Sequence, residues 1–405
     1  MSLLTQLLVL IIAARLLGSL FKRFHQPAIV GEMLAGVILG PSVLNFIQAD
    51  AALSGISDLA VFLVVLSAGL EMQFKDILDA LKGRGLILAI LAFFIPMAAG
   101  IAVGIAYELD TMRVVFLGLC VSITALPVAV RILQSFNMLD SEIARYSVAT
   151  AVLNDITALL VLGVILNLPG YLSFESIGIS VLNTGWKLLA LVALILGFNW
   201  GLQKLIARGV NLHRWSEKLV EVVGTEALFG ILIVFVLSFG SASEALGFHF
   251  VIGAFFGALL IDQKFFLASR YNELDHTLRA ITDGFLGPVF FATLGLEFKA
   301  TSVKSADFVA VVLAISIASK MISGWVGGRI IGLDNVKSFG VGIILNGRGV
   351  MELVIASIAY KRGFITQGLF SALIIMGVAT TIMTPLMFRR WVLPRLPKKD
   401  QSLQG

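Results

Sequence analysis

The sequence predicts an all-α membrane protein. Three observations carry that expectation: the composition, a series of apolar stretches long enough to span a bilayer, and the alternation of basic residues between the connections. Of 405 residues, 58% are hydrophobic and 14% are charged. Soluble domains run about 45–50% apolar and about 25% charged. So few charges cannot cover the water-facing surface of a chain this long, whereas a lipid-facing surface needs few. Extended strands are not expected, because a lone sheet leaves backbone groups unsatisfied in lipid.

Thirteen apolar stretches qualify, at roughly 3–21, 27–47, 56–73, 85–107, 114–133, 146–169, 178–203, 219–240, 245–262, 282–298, 306–331, 338–360 and 366–388. A helical span needs about 20 mostly apolar residues, and 245–262 is the weakest candidate. No small-residue cleavage site follows the first stretch, so it reads as a retained helix. The odd-numbered connections and the C-terminal tail hold 21 Lys and Arg residues. The even-numbered ones hold five: Arg113, Lys299, Lys304, Lys361 and Arg362. The positive-inside rule then places the N-terminus outside and the C-terminus in the cytoplasm, with a bacterial inner membrane as the expected location. The net charge of +5 is therefore a topology signal, and the expected surroundings are a lipid bilayer and no nucleic acid. Cys120 is the single cysteine, so no disulfide framework is possible.

The two halves of the chain resemble each other. Ala68-Gly69-Leu70-Glu71-Met72 in the third stretch echoes Leu294-Gly295-Leu296-Glu297-Phe298 in the tenth. Gly100, Gly104 and Gly118 recur 224 residues later as Gly324, Gly328 and Gly342. Stretches 1–6 pair with stretches 8–13, leaving the seventh as connector. An odd connector inverts the second half relative to the first. The expected organisation is one transmembrane domain: repeat one over about 1–169, a linker helix over about 178–203, and repeat two over about 219–388. Inverted repeats are characteristic of secondary transporters, whose sites lie at the midplane between broken helices.

Breaks are expected at matching places. Ser122-Ile123-Thr124-Ala125-Leu126-Pro127 interrupts the fifth helix, since proline removes a backbone donor and clashes with the preceding turn. Asn346-Gly347-Arg348-Gly349 interrupts the twelfth, where two glycines flank a charge. The 224 offset lays Ser122 on Asn346 and Thr124 on Arg348. Ser122 and Thr124 can satisfy freed backbone groups or contact an ion. Charges at bilayer depth are costly and hence usually functional or paired. Asp155 follows Asn154 in the middle of the sixth helix and Lys320 lies in the middle of the eleventh. Arg348 and Glu352 stand four residues apart, so they can pair along one helix face. Glu32, Lys187 and Glu226 read as packing or interface residues, and Arg15 as a snorkelling or interface side chain.

Asp155 is the candidate carrier. A carboxylate holds a proton or a small cation, not both, and that competition by itself produces coupled exchange. A structural aspartate, paired with a helix dipole or with Lys320, is the competing reading. Enzyme chemistry is not expected. His25, His213, His249 and His276 are scattered, with no Ser/His/Asp or metal-ligand spacing, and Gly83-Arg84-Gly85 is no phosphate cradle. His249 reads as a structural histidine in preference to a pH sensor.

Taken together, these motifs resemble the monovalent cation/proton antiporter superfamily, in particular its second branch of bacterial sodium/proton antiporters, potassium efflux antiporters and plant cation/proton exchangers. The resembling stretches run from His25-Gln26-Pro27 through Gly40-Pro41. They continue through Ala68 to Glu71, Ser122 to Pro127, Asn154-Asp155, Gly287-Pro288-Val289-Phe290-Phe291, Lys320 and Asn346 to Gly349. The resemblance implies a sodium/proton antiporter-like fold in which two discontinuous helices cross, and a homodimer whose core domain moves against a dimer domain. It implies that Asp155 binds the monovalent cation and the proton, with Asn154, Thr124 and Ser122 around it. Lys320, Arg348 and Glu352 would serve as coupling or structural charges. The expected transported ions are Na⁺ or K⁺ and H⁺, with no further cofactor. Relatives of the efflux type continue into a nucleotide-binding domain. The sequence ends about ten residues past the last apolar stretch, so that domain is not expected here, and no soluble regulatory partner is identified. Because Asn154 cannot titrate, one proton per cation is expected, unless Lys320 also releases one. The alternative is a gated cation (K⁺) efflux pathway without obligatory proton coupling.

Overall fold

In lipid each backbone N–H must find a carbonyl within its own segment, and the apolar stretches accordingly fold as helices. A computed structural model describes residues 1–24, 26–70, 83–139, 141–166, 174–208, 225–261, 268–302 and 305–396, and no strand occurs among them. The helices are α1 (Leu3–Arg23), α2 (Ala28–Leu39), α3 (Ala51–Leu70), α4 (Gly85–Ala106), α5 (Thr111–Ser122), α6 (Leu126–Ser135), α7 (Glu142–Leu166) and α8 (Phe174–Ala207). They continue with α9 (Thr225–Ala245), α10 (Phe250–Leu259), α11 (Ala268–Ile281), α12 (Gly287–Glu297), α13 (Ala306–Ile330), α14 (Asn335–Ile344), α15 (Val350–Lys361) and α16 (Gln367–Met387).

Among the described residues, eight helical segments are long and apolar enough to cross a membrane alone, while α2, α5 and α10 are apolar but shorter. Thirteen crossings therefore stay an expectation. The fifth and twelfth stretches each divide into two short helices, α5 with α6 and α14 with α15. Helix α11 was not anticipated. It carries ion pairs within one or so turns, Arg270–Glu273 at 3.1 Å and Arg279–Asp275 at 2.8 Å, which support a helix that has no apolar run. A π-turn over Thr282–Leu286 leads from it into α12. Large apolar side chains such as Leu4, Leu8 and Leu16 on α1 and Trp186, Leu189 and Trp200 on α8 are exposed, as a lipid-facing surface requires. Arg15 is exposed, Glu32 is buried and Lys187 is half-buried.

The described residues form two compact units, one from 1–58, 77–158 and 288–405, the other from 59–76 and 159–287. In the first, the 224-residue offset reappears as geometry. A methyl on Gly100 would come within 2.8 Å of the Gly118 Cα, and one on Gly324 would fall on the Gly342 Cα. Asp110 caps α5 by accepting from the Arg113 N–H at 3.0 Å, and Asp334 caps α14 by accepting from the Lys337 N–H at 2.8 Å. Leu109 N–H bonds Gly104 O at 3.0 Å, and Leu333 N–H bonds Gly328 O at 2.9 Å. Lipid tails are as apolar as leucine, so helices in a membrane associate through close packing of small residues, and these glycine contacts supply it. Ala125, Val128, Ile132, Ile343, Ile344 and Phe388 form a core around the two breaks. Leu10 of α1, Ala35 of α2, and Val289 and Ala292 of α12 form another.

In the second unit, Phe62 of α3 meets Phe250 of α10 edge-on with ring centroids 5.8 Å apart, and the Tyr271 hydroxyl donates to Leu70 O at 3.2 Å. Phe198, Phe235 and Phe239 cluster between α8 and α9. His249 caps α10, its Nδ1 accepting from the Val251 N–H at 3.3 Å, which is a structural use. Glu71, Met72, His25, His213 and the side chain of Glu226 lie outside the described residues. So do Lys75, Lys82, Arg214, Lys218, Lys264, Lys304, Lys398 and Lys399 of the basic residues.

Candidate functional site

Helix α5 ends at Ser122 and α6 begins at Leu126, with Ile123 and Ala125 extended between them. Helix α14 ends at Ile344 and α15 begins at Val350. The two interruptions cross. The Ala125 N–H donates to Gly347 O at 2.9 Å, and the Thr124 hydroxyl donates to Leu345 O at 2.8 Å. Each break therefore satisfies backbone groups that the other has freed, as buried polar groups require.

The last four carbonyls of a helix have no partner within it. At the end of α5 all four are taken. Ser122 Oγ donates to Leu119 O at 2.7 Å. Arg348 donates to Cys120 O through Nη1 and to Val121 O through Nη2 at 2.8 Å. Lys320 Nζ donates to Ser122 O. Two cations thus occupy the negative end of the half-helix dipole. The end of α14 is closed by neutral donors instead. Leu345 N–H bonds Val341 O, Asn346 N–H bonds Ile343 O and Gly347 N–H bonds Ile344 O, each at 3.0 Å. Asn346 Nδ2 donates to Gly342 O at 3.0 Å.

Lys320, fully buried on α13, completes its set with Ala92 O at 3.0 Å and Thr124 Oγ1 at 2.8 Å. Ala92 O is available because Pro96, four residues on in α4, has no N–H to offer it. Pro96 and Lys320 are themselves 224 residues apart. The sequence reading missed this seat, and the proline inside an apolar helix was its only signal. Arg348 also donates to Ser316 Oγ at 2.7 Å and lies 3.4 Å from Glu352, both side chains fully buried. That is the pair expected from the four-residue spacing.

Asp155 is 1% exposed and sits at the opposite, positive end of the first break. The Leu126 N–H at the start of α6 bonds its carboxylate, and its Oδ1 has no hydrogen-bond partner. None of the ion pairs among the described residues joins Asp155 to Lys320. Asn154, also buried, has an unpartnered Nδ2. The hydroxyls of Ser122 and Thr124 donate to backbone carbonyls, so both residues hold the breaks in place. No group of three or more His, Cys, Asp or Glu suited to a metal ion occurs among the described residues.

Two crossed broken helices, with fixed cations at one half-helix end and a free carboxylate oxygen at the other, define an ion-transporting membrane protein. The family described as sodium/hydrogen exchanger, transmembrane, matches residues 8–393, and the chain belongs to it. GerN, a Na⁺/H⁺-K⁺ antiporter of Bacillus cereus, is 25% identical over 95% of this chain and 95% of its own. A Na⁺/H⁺ antiporter of Enterococcus hirae is 27% identical over 95% of this chain and 96% of its own. The fold matches the sodium proton antiporter MjNhaP1 of Methanocaldococcus jannaschii with a TM-score of 0.67 at 16% identity, covering 96% of each chain.

Proposed function

We propose that the protein exchanges a monovalent cation, Na⁺ or K⁺, for H⁺ across a membrane by alternating access, with Asp155 as the group that carries either ion. The observation that carries this reading is the Asp155 carboxylate. It is buried at the positive end of a half-helix, held through one oxygen by Leu126 and unpartnered at the other. Such a group can take a proton or a dehydrated cation in turn, and the occupant that leaves must be replaced before the charge is buried again. Lys320 and Arg348 stay fixed by carbonyls of α4 and α5, so they set the charge of the site without moving through the cycle. With one exchangeable carboxylate the stoichiometry is one proton per cation. The same reading comprises one transporter domain with α8 as linker helix, a homodimer, a bacterial inner membrane, and an N-terminus outside with the C-terminus in the cytoplasm. The family resemblance and the distribution of basic residues support it.

The test is proton flux in proteoliposomes. An imposed Na⁺ or K⁺ gradient should move protons in a fixed ratio, at a rate that does not change when the membrane potential is clamped. Cation movement without coupled protons would sink the proposal in favour of an uncoupled efflux pathway, and a voltage-dependent rate would add a second titrating group.

A further inference from the structure

We infer that Asn346 supplies a cation ligand from the second break, a side-chain oxygen that faces the same ion as Asp155. The inference rests on the antiport reading above and names a residue of the site which that reading leaves out. Three observations converge on it. First, Asn346 is 1% exposed, and its Nδ2 donates to Gly342 O at 3.0 Å. That bond fixes which end of the amide is nitrogen and which is oxygen. Second, the Oδ1 so defined has no hydrogen-bond partner, and buried amide oxygens ordinarily have one. Third, Asp155 and Asn346 are tied to the same point of the crossing. Asp155 is bonded to the Leu126 N–H, the preceding N–H of Ala125 bonds Gly347 O at 2.9 Å, and Gly347 follows Asn346.

The other oxygens of the second break are already engaged: Leu345 O by Thr124, Gly347 O by Ala125 and Arg348 O by the Thr381 hydroxyl at 2.8 Å. Asn346 Oδ1 and Asp155 Oδ1 are left as bare buried oxygens, one contributed by each repeat. Hard cations such as Na⁺ and K⁺ bind through oxygen. A neutral oxygen beside one carboxylate adds a ligand without adding a titrating group. The amide therefore raises cation affinity and leaves the proton count at one.

The competing role for Asn346 is a simple cap of Gly342 O, and substitutions separate the two. Serine keeps a donor for the carbonyl four residues back but removes the amide oxygen. Aspartate keeps an oxygen ligand but removes the donor. Proteoliposomes carrying the wild type, Asn346→Ala, Asn346→Ser or Asn346→Asp are pulsed with NaCl or KCl, and the apparent cation KM is read from proton flux. Thermal unfolding in detergent confirms that each variant is folded. As a ligand, Asn346 predicts a KM raised roughly tenfold to hundredfold in the Ala and Ser variants, the loss of one contact to a charged group. The Asp variant should stay near the wild type or below it. A Ser variant with wild-type KM, or equal rises in all three, overturns the inference while leaving antiport intact. A wild type that moves no protons with either cation overturns antiport itself, and the ligand with it.

Discussion

Asp155 and the Arg348–Glu352 pair show two different uses of a buried charge. Asp155 keeps one oxygen free, so its removal should abolish transport while the fold persists. Asp155→Asn is close to isosteric and can still accept from the Leu126 N–H. It should unfold near the wild-type temperature and show no cation-driven proton flux in liposomes; retained flux would falsify its role as carrier. Arg348 has structural work in addition to its charge, because its guanidinium closes α5 and pairs with Glu352. Arg348→Ala leaves a buried carboxylate without its partner, at a cost of about 3–5 kcal/mol. Thermal unfolding in detergent should show a large loss of stability, and adding Glu352→Leu should recover part of it. A single variant as stable as the wild type would show that the pair holds nothing. The sequence made Asp155 and the pair visible, since charges in the middle of apolar helices stand out on cost alone. It could not show that the Thr124 hydroxyl lies between Lys320 and Leu345, because those partners are about 200 residues away along the chain.

At the level of elements, both breaks were readable from local chemistry, the proline of one and the paired glycines of the other. Their crossing was not, because it consists of backbone bonds between segments far apart in sequence. Helix α11 escaped for the opposite reason: its helicity rests on charge pairs, and a search for apolar runs passes over it. The seat of Lys320 couples two elements in a way that can be tested. Pro96→Ala removes a penalty of about 3 kcal/mol for proline inside a helix, so α4 alone gains stability. The restored N–H at position 96 then competes for Ala92 O, which Lys320 now holds at 3.0 Å. The expected result is an unfolding temperature at or above that of the wild type with proton flux reduced severalfold. Unchanged flux would show that Lys320 does not need that carbonyl.

For the whole molecule, orientation follows from the basic residues and not from any one contact. Ser2 begins the chain's first helix as its N-cap, and Ser2→Cys in a background lacking Cys120 gives a single thiol to probe. A membrane-impermeant maleimide should label it from outside intact cells, and labelling only after the inner face is exposed would reverse the assigned topology.

The relation between Pro96 and Lys320 reaches further than the local fit of one ammonium. The two occupy equivalent positions of halves that otherwise share caps and glycine contacts, yet one has lost a donor and the other has gained a charge. Each change suits the site only in the presence of the other, so the halves have become complementary parts that can no longer stand in for one another. A protein assembled from two copies of the first half would have a vacated carbonyl on both sides and no ammonium to fill either. One assembled from two copies of the second would have two buried ammonium groups and no seat for them. The asymmetry of the ion site was therefore fixed after the duplication that produced the pseudo-symmetric frame, and a chimera that exchanges only position 96 or only position 320 between halves should lose transport even where the frame still folds.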